Sequence, residues 1–334
     1  MLKQVLIIQT ASLGDVILST ALAESLHNLY PDLKIDYLIK NGYQGLFAGH
    51  PFIRKVHTFD KSKGKYRNIF QLISEFRKTG YDAVINVQRF ASSGLITALS
   101  GARLKCGFGK NPFSFAFNHK SRHIISHTSP SGHEITRNHS LISWIQNIKP
   151  AKPALYPDIS NAGENIKDLF KQPFITISPS SLWFTKQYPA EKWIELIQAL
   201  PSGIRVVLLG GRDDRGLCES IRSRSASRNI EVFAGELNFL MSAYVMKGAV
   251  MNYVNDSAPM HLASAVNAPV TAVYCSTVPQ FGFGPLSDNA SVVETRHSPS
   301  CRPCGLHGHK QCPEKHFSCA LSIETEQLLE RLDL

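Results

Sequence analysis

The sequence predicts an α/β protein built of two parallel-sheet domains. Three stretches carry that reading. Near the N-terminus, Val5 to Gln9 reads as a strand, Thr10-Ala11-Ser12-Leu13-Gly14-Asp15 as a turn, Val16 to Leu29 as a helix stopped by Pro31, and Leu33 to Ile39 as the next strand. Late in the chain, the apolar run Ala249 to Val254 passes through the polar turn Asn255-Asp256-Ser257 into a short helix of small residues. That helix ends at Asn267-Ala268-Pro269, and Val270 to Tyr274 follows as a strand. Strand, turn, helix, strand is a βαβ unit, whose strands run parallel. Between the two units, Pro150, Pro153 and Pro157 mark a linker, after which the strand and helix pattern starts again.

Length and charge bound the function. At 334 residues with 43% hydrophobic content, two ordinary globular cores are expected. No apolar run reaches the ~18 residues of a membrane span. Val5-Leu6-Ile7-Ile8 is too short for the apolar region of a signal peptide, so a cytoplasmic protein is expected. The net charge of +10 is unevenly placed: residues 1–150 hold 19 Lys and Arg against 8 Asp and Glu, and the remainder 17 against 18. A basic first half implies an anionic partner: nucleic acid, a membrane surface or a phosphorylated substrate. Solubilising surface charge is the plain alternative.

The elements follow in order. The first turn has no G-x-G-x-x-G dinucleotide fingerprint. Gly14 lets the backbone turn tightly, and Asp15 stands where the helix dipole keeps a carboxylate ionised; helix capping is its other reading. Lys61-Ser62-Lys63-Gly64-Lys65-Tyr66-Arg67 reads as a basic loop before a helix from about Ile69 to Lys78, suited to acceptor phosphates or to solvent. Tyr81 to Gln88 is a strand, with Arg89 after it. Ala102 to Phe108 is another, and Ser114 to His127 a loop or short strands. His133 to His139 opens a helix containing Arg137. In the second half come a helix (Ala162 to Lys171), a strand (Phe174 to Ser178), a turn (Pro179 to Pro189) and a helix (Ala190 to Leu200). Ser180, Ser181, Thr185 and Lys186 place hydroxyls and an amine at a helix entrance, which suits a pyrophosphate. The strand Arg205 to Leu209 ends in Gly210-Gly211-Arg212-Asp213-Asp214, which is not a metal-binding Asp-x-Asp. Asp256 and Ser257 precede the late helix as good N-cap types, with His261 one turn on. Pro279 to Pro285 is a Gly- and aromatic-rich loop, and Ser322 to Leu332 reads as a final helix.

Asn255-Asp256-Ser257-Ala258-Pro259-Met260-His261-Leu262-Ala263, with Tyr274-Cys275-Ser276-Thr277 after it, resembles the nucleotide-sugar motif of the glycosyltransferase family 9 heptosyltransferases, the second-heptose branch most of all. Ala258 stands where the family usually has Gly, and Cys275-Ser276 where it has Gly-Pro. Ser12-Leu13-Gly14-Asp15-Val16, Gln88 and His133 to Asn138 also match the family in order, as does Lys186-Gln187-Tyr188-Pro189, with Gln187 and Tyr188 in place of the family's usual Arg and Trp.

The resemblance implies a GT-B fold of two facing Rossmann-like domains. Residues 1–155 would bind acceptor, 156–320 would bind the nucleotide sugar, and the 321–334 helix would pack back towards the first domain. It implies an inverting, metal-independent transferase moving heptose from ADP-heptose to the inner core of lipopolysaccharide, with Asp15 as general base and Lys186 assisting the leaving group. Gly14, Ser180, Ser181, Thr185, Gly211, Asp213, Asp214, Asp256, Ser257, Ala258 and His261 would hold the donor, Asp214 being the first choice for the ribose. Lys61, Lys63, Lys65, Arg67, Gln88, Arg89 and Arg137 would hold an anionic lipid A/Kdo-core acceptor. A monomer on the inner face of the cytoplasmic membrane, without nucleic acid, is the implied setting. Alternatives are another nucleotide sugar or glycan acceptor, a nucleotide-sugar epimerase, or a non-catalytic sugar-nucleotide-binding protein.

Of seven cysteines, four follow Cys301-x2-Cys304-x7-Cys312-x6-Cys319. In a cytoplasmic chain this spacing suits structural zinc or reduced thiols, ahead of disulfides.

Overall fold

The computed structural model describes residues 2–61, 64–128, 132–158, 160, 162–225, 229–297 and 299–332. The chain divides into two compact units, one of Met1–Ser126 and Ser131–Tyr156, the other of His127–Pro130 and Pro157–Leu334.

The first unit holds six strands: β1 (Gln4–Gln9), β2 (Lys34–Lys40), β3 (Ile53–Phe59), β4 (Ala83–Asn86), β5 (Leu104–Phe108) and β6 (His119–Ser121). Its helices are α1 (Leu13–Leu29), α2 (Lys65–Thr79), α3 (Ala91–Leu99) and α4 (Glu134–His139). The strands pair in parallel in the order β3-β2-β1-β4-β5-β6. The second unit repeats the plan with β7 (Phe174–Ser178), β8 (Arg205–Leu208), β9 (Ile230–Val232), β10 (Met251–Asn255), β11 (Val270–Tyr274) and β12 (Ala290–Glu294). Its helices are α5 (Glu164–Leu169), α6 (Ala190–Ala199), α7 (Arg215–Arg224), α8 (Phe239–Gly248), α9 (Ala258–Ala265), α10 (Ser318–Leu321) and α11 (Thr325–Leu329). Its order, β9-β8-β7-β10-β11-β12, is again all parallel. Both are Rossmann-like sheets, which reverse direction beside their first strand. That makes β1/β4 and β7/β10 the switch points, where ligands bind outside the carboxyl ends of the strands.

Helices cover the sheets because the central strands are apolar along their length. All five residues of β7, β10 and β11 are buried, as befits strands with both faces covered. On α6, Trp193, Ile194, Leu196 and Ile197 form one apolar stripe onto that sheet.

Several elements depart from expectation. α1 begins at Leu13 rather than Val16, because Ser12 and Asp15 form a capping box. α2 begins at Lys65 rather than near Ile69, so Lys65 and Arg67 lie on its first turn instead of in a loop. The edge strand β3 escaped sequence reading because Arg54, Lys55 and His57 interrupt its apolar pattern. Such charge suits an edge. Here it pays a second role, since Arg54 bonds both oxygens of the buried Asp36 on β2, at 2.9 and 2.5 Å. Burial alone would raise the Asp36 carboxyl, but the bonds from His57, Arg54 and Tyr81 outweigh it and hold it well below the usual range.

The C-terminal segment also differs. Ile323 and Leu328 are fully buried in the core of the second unit. Tyr188 and Tyr253 donate hydroxyl hydrogen bonds to their carbonyls at 3.1 and 3.2 Å. α11 therefore packs as part of the second unit, and the helix expected over 322–332 is the shorter Thr325–Leu329. Among the described residues, no helix is long and apolar enough to cross a membrane.

Candidate active site

The donor-side site is built at the β7/β10 switch point. Asn255, the last residue of β10, is buried and ties the flanking loops together. Its Oδ1 accepts from the Tyr188 N–H at 2.9 Å, and its Nδ2 donates to the carbonyls of Pro179 and Ser180 at 2.9 and 3.3 Å. This brings the turn after β7 against the start of α9. There Lys186 Nζ meets Asp256 Oδ2 at 2.6 Å. Thr277, just past β11, donates its hydroxyl to the same oxygen at 2.6 Å.

Asp256 therefore does not cap α9. The N-cap is Ser257, whose backbone is extended and whose side chain makes no capping bond. Its hydroxyl bonds back to the Asn255 carbonyl at 3.3 Å. The first turn of α9 has no side-chain cap from Ser257, but Pro259 lacks an N–H and the Met260 N–H bonds the Ser257 carbonyl at 3.1 Å, so the helix dipole and the neighbouring lysine amine are what suit this end to an anion. Ser180 and Ser181 lie half-buried in the facing turn, and His261 is buried on α9.

At the end of β8, Asp214 Oδ2 accepts the Gly211 N–H at 2.7 Å. The expected ribose carboxylate thus braces its own turn, whereas Asp213 beside it is exposed. A Cβ on Gly210 would lie 2.8 Å from the Asp214 Cβ, so the glycine permits this tight turn.

The first unit has a matching polar cluster at its β1/β4 switch point. Ser12 donates its hydroxyl to Asp15 Oδ2 at 2.6 Å and its N–H to the same atom at 3.2 Å. The capping reading of Asp15 is therefore true of the structure, and the cap also fixes where the carboxylate stands. Lys61 reaches the same turn, its Nζ donating to the Thr10 carbonyl at 2.9 Å. Burial, then the charges of Lys40 and Lys65, pushes the Lys61 pKa down. Arg89 is exposed nearby in sequence to Gln88, and Lys65 and Arg67 are exposed on α2. Lys63 lies outside the described residues.

Two expected acceptor residues are committed elsewhere. Gln88 is buried, donating its amide to Gln9 Oε1 and accepting from the Thr10 hydroxyl at 3.3 Å, so it bridges β1 and β4. Arg137 is 5% exposed, with Nε 2.7 Å from Glu134 Oε2 and Nη1 2.6 Å from the Gly132 carbonyl. A buried arginine held this way neutralises an internal carboxylate.

All seven cysteines carry free thiols. Cys301, Cys304, Cys312 and Cys319 line one cavity, together with Thr185, Ser276 and His309. Among the described residues, no three His, Cys, Asp or Glu side chains are already gathered into a metal-holding cluster.

The family model described as glycosyltransferase family 9 (heptosyltransferase) matches residues 69–317. The chain belongs to glycosyltransferase family 9. It is 26% identical over 296 residues to lipopolysaccharide heptosyltransferase 3 of Escherichia coli, covering 83% of this chain and 84% of the relative. It is 24% identical over 350 residues to lipopolysaccharide heptosyltransferase 1 of Campylobacter coli, covering 98% and 97%. Its fold is that of the solved E. coli ADP-heptose lps heptosyltransferase II, with TM-score 0.76 at 20% identity over 98% of this chain and 97% of that one. The solved E. coli heptosyltransferase WaaC with ADP gives TM-score 0.75 at 20% identity, over 99% and 100%. The two Rossmann-like units are accordingly those of a GT-B glycosyltransferase.

For this family 9 glycosyltransferase, reading by sequence named Lys186 and Asp256 but not their pairing. It assigned no role to Asn255 or Thr277, although both lie inside the motifs that carry the resemblance. A polar residue ending a buried strand was the available signal for Asn255, since it must find partners.

Proposed function

We propose that this family 9 enzyme transfers heptose from ADP-heptose to the inner core of lipopolysaccharide. The observation that carries the reading is the Lys186–Asp256–Thr277 cluster beside the uncapped first turn of α9. The relatives named above support the sugar and the acceptor class, and the ADP in the WaaC structure supports the nucleotide.

The step is a single displacement. The acceptor hydroxyl gives its proton to Asp15 as its oxygen bonds the anomeric carbon. The bond from that carbon to the diphosphate oxygen breaks, and ADP leaves with its electron pair. The transition state is oxocarbenium-like. Lys186 and the α9 dipole stabilise the growing negative charge of the leaving diphosphate. Serving this role, Lys186 shares its charge between Asp256 and the phosphates. Ser180 and Ser181 offer hydroxyls to the phosphates, Thr185, buried with its Oγ1 accepting the His309 N–H, braces the turn that carries Lys186, and Asp213 or Asp214 takes the ribose. Transfer proceeds without Mg²⁺, since the lysine and helix supply the positive charge.

The acceptor is an anionic, lipid-linked core taken from the membrane surface by a monomer. Lys61, Lys65, Arg67 and Arg89 are the cations that meet it. The experiment is a mass-spectrometric donor screen with a heptose-deficient acceptor. A heptose adduct from ADP-heptose alone supports the reading. Transfer from another nucleotide sugar, or conversion of the donor without acceptor, overturns it.

A further inference from the structure

We propose that the carboxyl edge of the first unit's sheet is a bilayer-docking face, on which Tyr66, Phe70, Phe90 and Phe115 enter the headgroup boundary of an anionic lipid surface. These four side chains are 72%, 61%, 59% and 78% exposed. Single exposed apolar residues are ordinary. Four large rings at one edge of one sheet, set among cations, mark an interaction surface.

The topology gathers them. The strands are all parallel, so the segments after β3, β4 and β5 leave the sheet at the same edge. Tyr66 and Phe70 lie on α2, which follows β3; Phe90 follows β4, and Phe115 follows β5. Asp15, which follows β1, stands at that edge too. The i, i+4 spacing sets Tyr66 and Phe70 on one face of α2. Ile69, Leu72, Ile73 and Phe76 already supply the buried face of that helix, so both rings are surplus to the core.

The segments are also joined to one another. Asn111 Nδ2 donates to the carbonyls of Gln88 and Phe90, each at 3.1 Å, which ties the loop before Phe115 to the loop of Phe90. The Phe113 ring lies 6.0 Å from that of Phe115. Lys61 Nζ stands 5.9 Å from the Phe90 ring centroid. Burial, then the charges of Lys40 and Lys65, lowers the Lys61 pKa, so the start of α2 is close by as well. The rings are therefore held out to solvent by an ordered platform.

Charge selects the occupant. Residues 83–133 hold six Lys and Arg and no Asp or Glu, and residues 61–74 hold four and none. A second copy of the chain seated on this face would set cations against cations. An anionic bilayer accepts both features, with basic side chains on its phosphates and aromatic rings at the level of its headgroups. The face binds lipid with no acceptor present, which goes beyond the reading above. Its purpose rests on that reading: it holds the Asp15 edge where a lipid-linked acceptor stands.

The test is co-sedimentation of the full chain with phosphatidylcholine vesicles, with and without phosphatidylglycerol, and without donor or acceptor. Binding is expected to the anionic vesicles, with a part that survives high salt, because screening removes the charge attraction and leaves the rings. Tyr66→Ser with Phe70→Ser, and Phe90→Ser with Phe115→Ser, should each lower the partition coefficient about tenfold or more and remove the salt-resistant part, with Tm unchanged. Leu182→Ser, 88% exposed in the second unit, should leave partition as it was. Phe90→Trp should gain fluorescence that brominated lipid quenches. Absence of binding to anionic vesicles overturns the face, as does binding that the aromatic variants leave intact or that Leu182→Ser lowers equally. Concentration-dependent dimerisation lost in the same variants overturns it in favour of a second copy. No turnover is measured, so a failed donor screen leaves these results standing, and heptose transfer by a chain that ignores vesicles would sink the face alone.

Discussion

Lys186 Nζ lies 2.6 Å from Asp256 Oδ2, with both side chains mostly buried. Removing one partner of such a pair leaves an uncompensated charge, a loss of about 3–5 kcal/mol where burial is complete and less here. Lys186→Met should therefore lower both stability and transfer. Adding Asp256→Asn should recover most of the stability but not the transfer, whose loss should stay near 10²-fold for want of a charge facing the leaving group. Urea unfolding and kcat measured on the same proteins separate the two roles. Recovery of kcat in the double variant would remove Lys186 from catalysis.

Asp15 has its own separation of roles. Asparagine keeps a side-chain oxygen for the Ser12 N–H, so Asp15→Asn should stay within about 1 kcal/mol of the parent in stability. An amide does not accept the acceptor's proton, and kcat should fall by about 10²–10⁴. ADP affinity should hold. Near-parental kcat would leave Asp15 as a cap alone.

The basic edge of the first unit should be felt in the acceptor step. Exposed charge attraction fades beyond the Debye length, ~8 Å at physiological ionic strength. Added salt should raise the acceptor KM more than the donor KM. Replacing Lys61, Lys63, Lys65 and Arg67 by Ser should mimic high salt and flatten the remaining dependence. A salt-sensitive donor with an indifferent acceptor would place the acceptor elsewhere.

Glu24 on α1 gives a pH prediction. It is 8% exposed and accepts the Tyr156 hydroxyl at 3.1 Å. Burial, partly offset by Tyr156, pushes its pKa from 4.5 up to about 7. The folded state then holds a proton that the unfolded state has released, so stability falls as pH rises from 4.5 to about 7. The loss amounts to roughly 3 kcal/mol over that window. Burial and the charge of His27 push His50 the other way, to about 4, which weakens the fold as pH drops below 6.5. Glu24→Gln should raise Tm at pH 8 and leave the His50 limb in place. An unchanged slope between pH 5 and 7 would show that Glu24 ionises freely.

The amino-acid order alone determined the two βαβ cores and the stretch Asn255 to Ala265. Each is written in consecutive residues: an apolar run for a buried strand, a polar turn, then a helix, which in α9 is made of small residues with Pro259 at its start. Charged β3 and short β9 were not legible, because edge strands lack a sustained apolar pattern. Only tertiary structure decided how Lys186 meets Asp256, how Arg137 pairs with Glu134, and where the cysteines stand. Asn255 bonds Tyr188, 67 residues earlier, and Thr185 bonds His309, 124 residues later. Such partners are set by the register of a parallel sheet and by loops folded across its carboxyl edge. Sequence periodicity carries no record of that distance, because it reports which face a residue turns inward and not what it meets there.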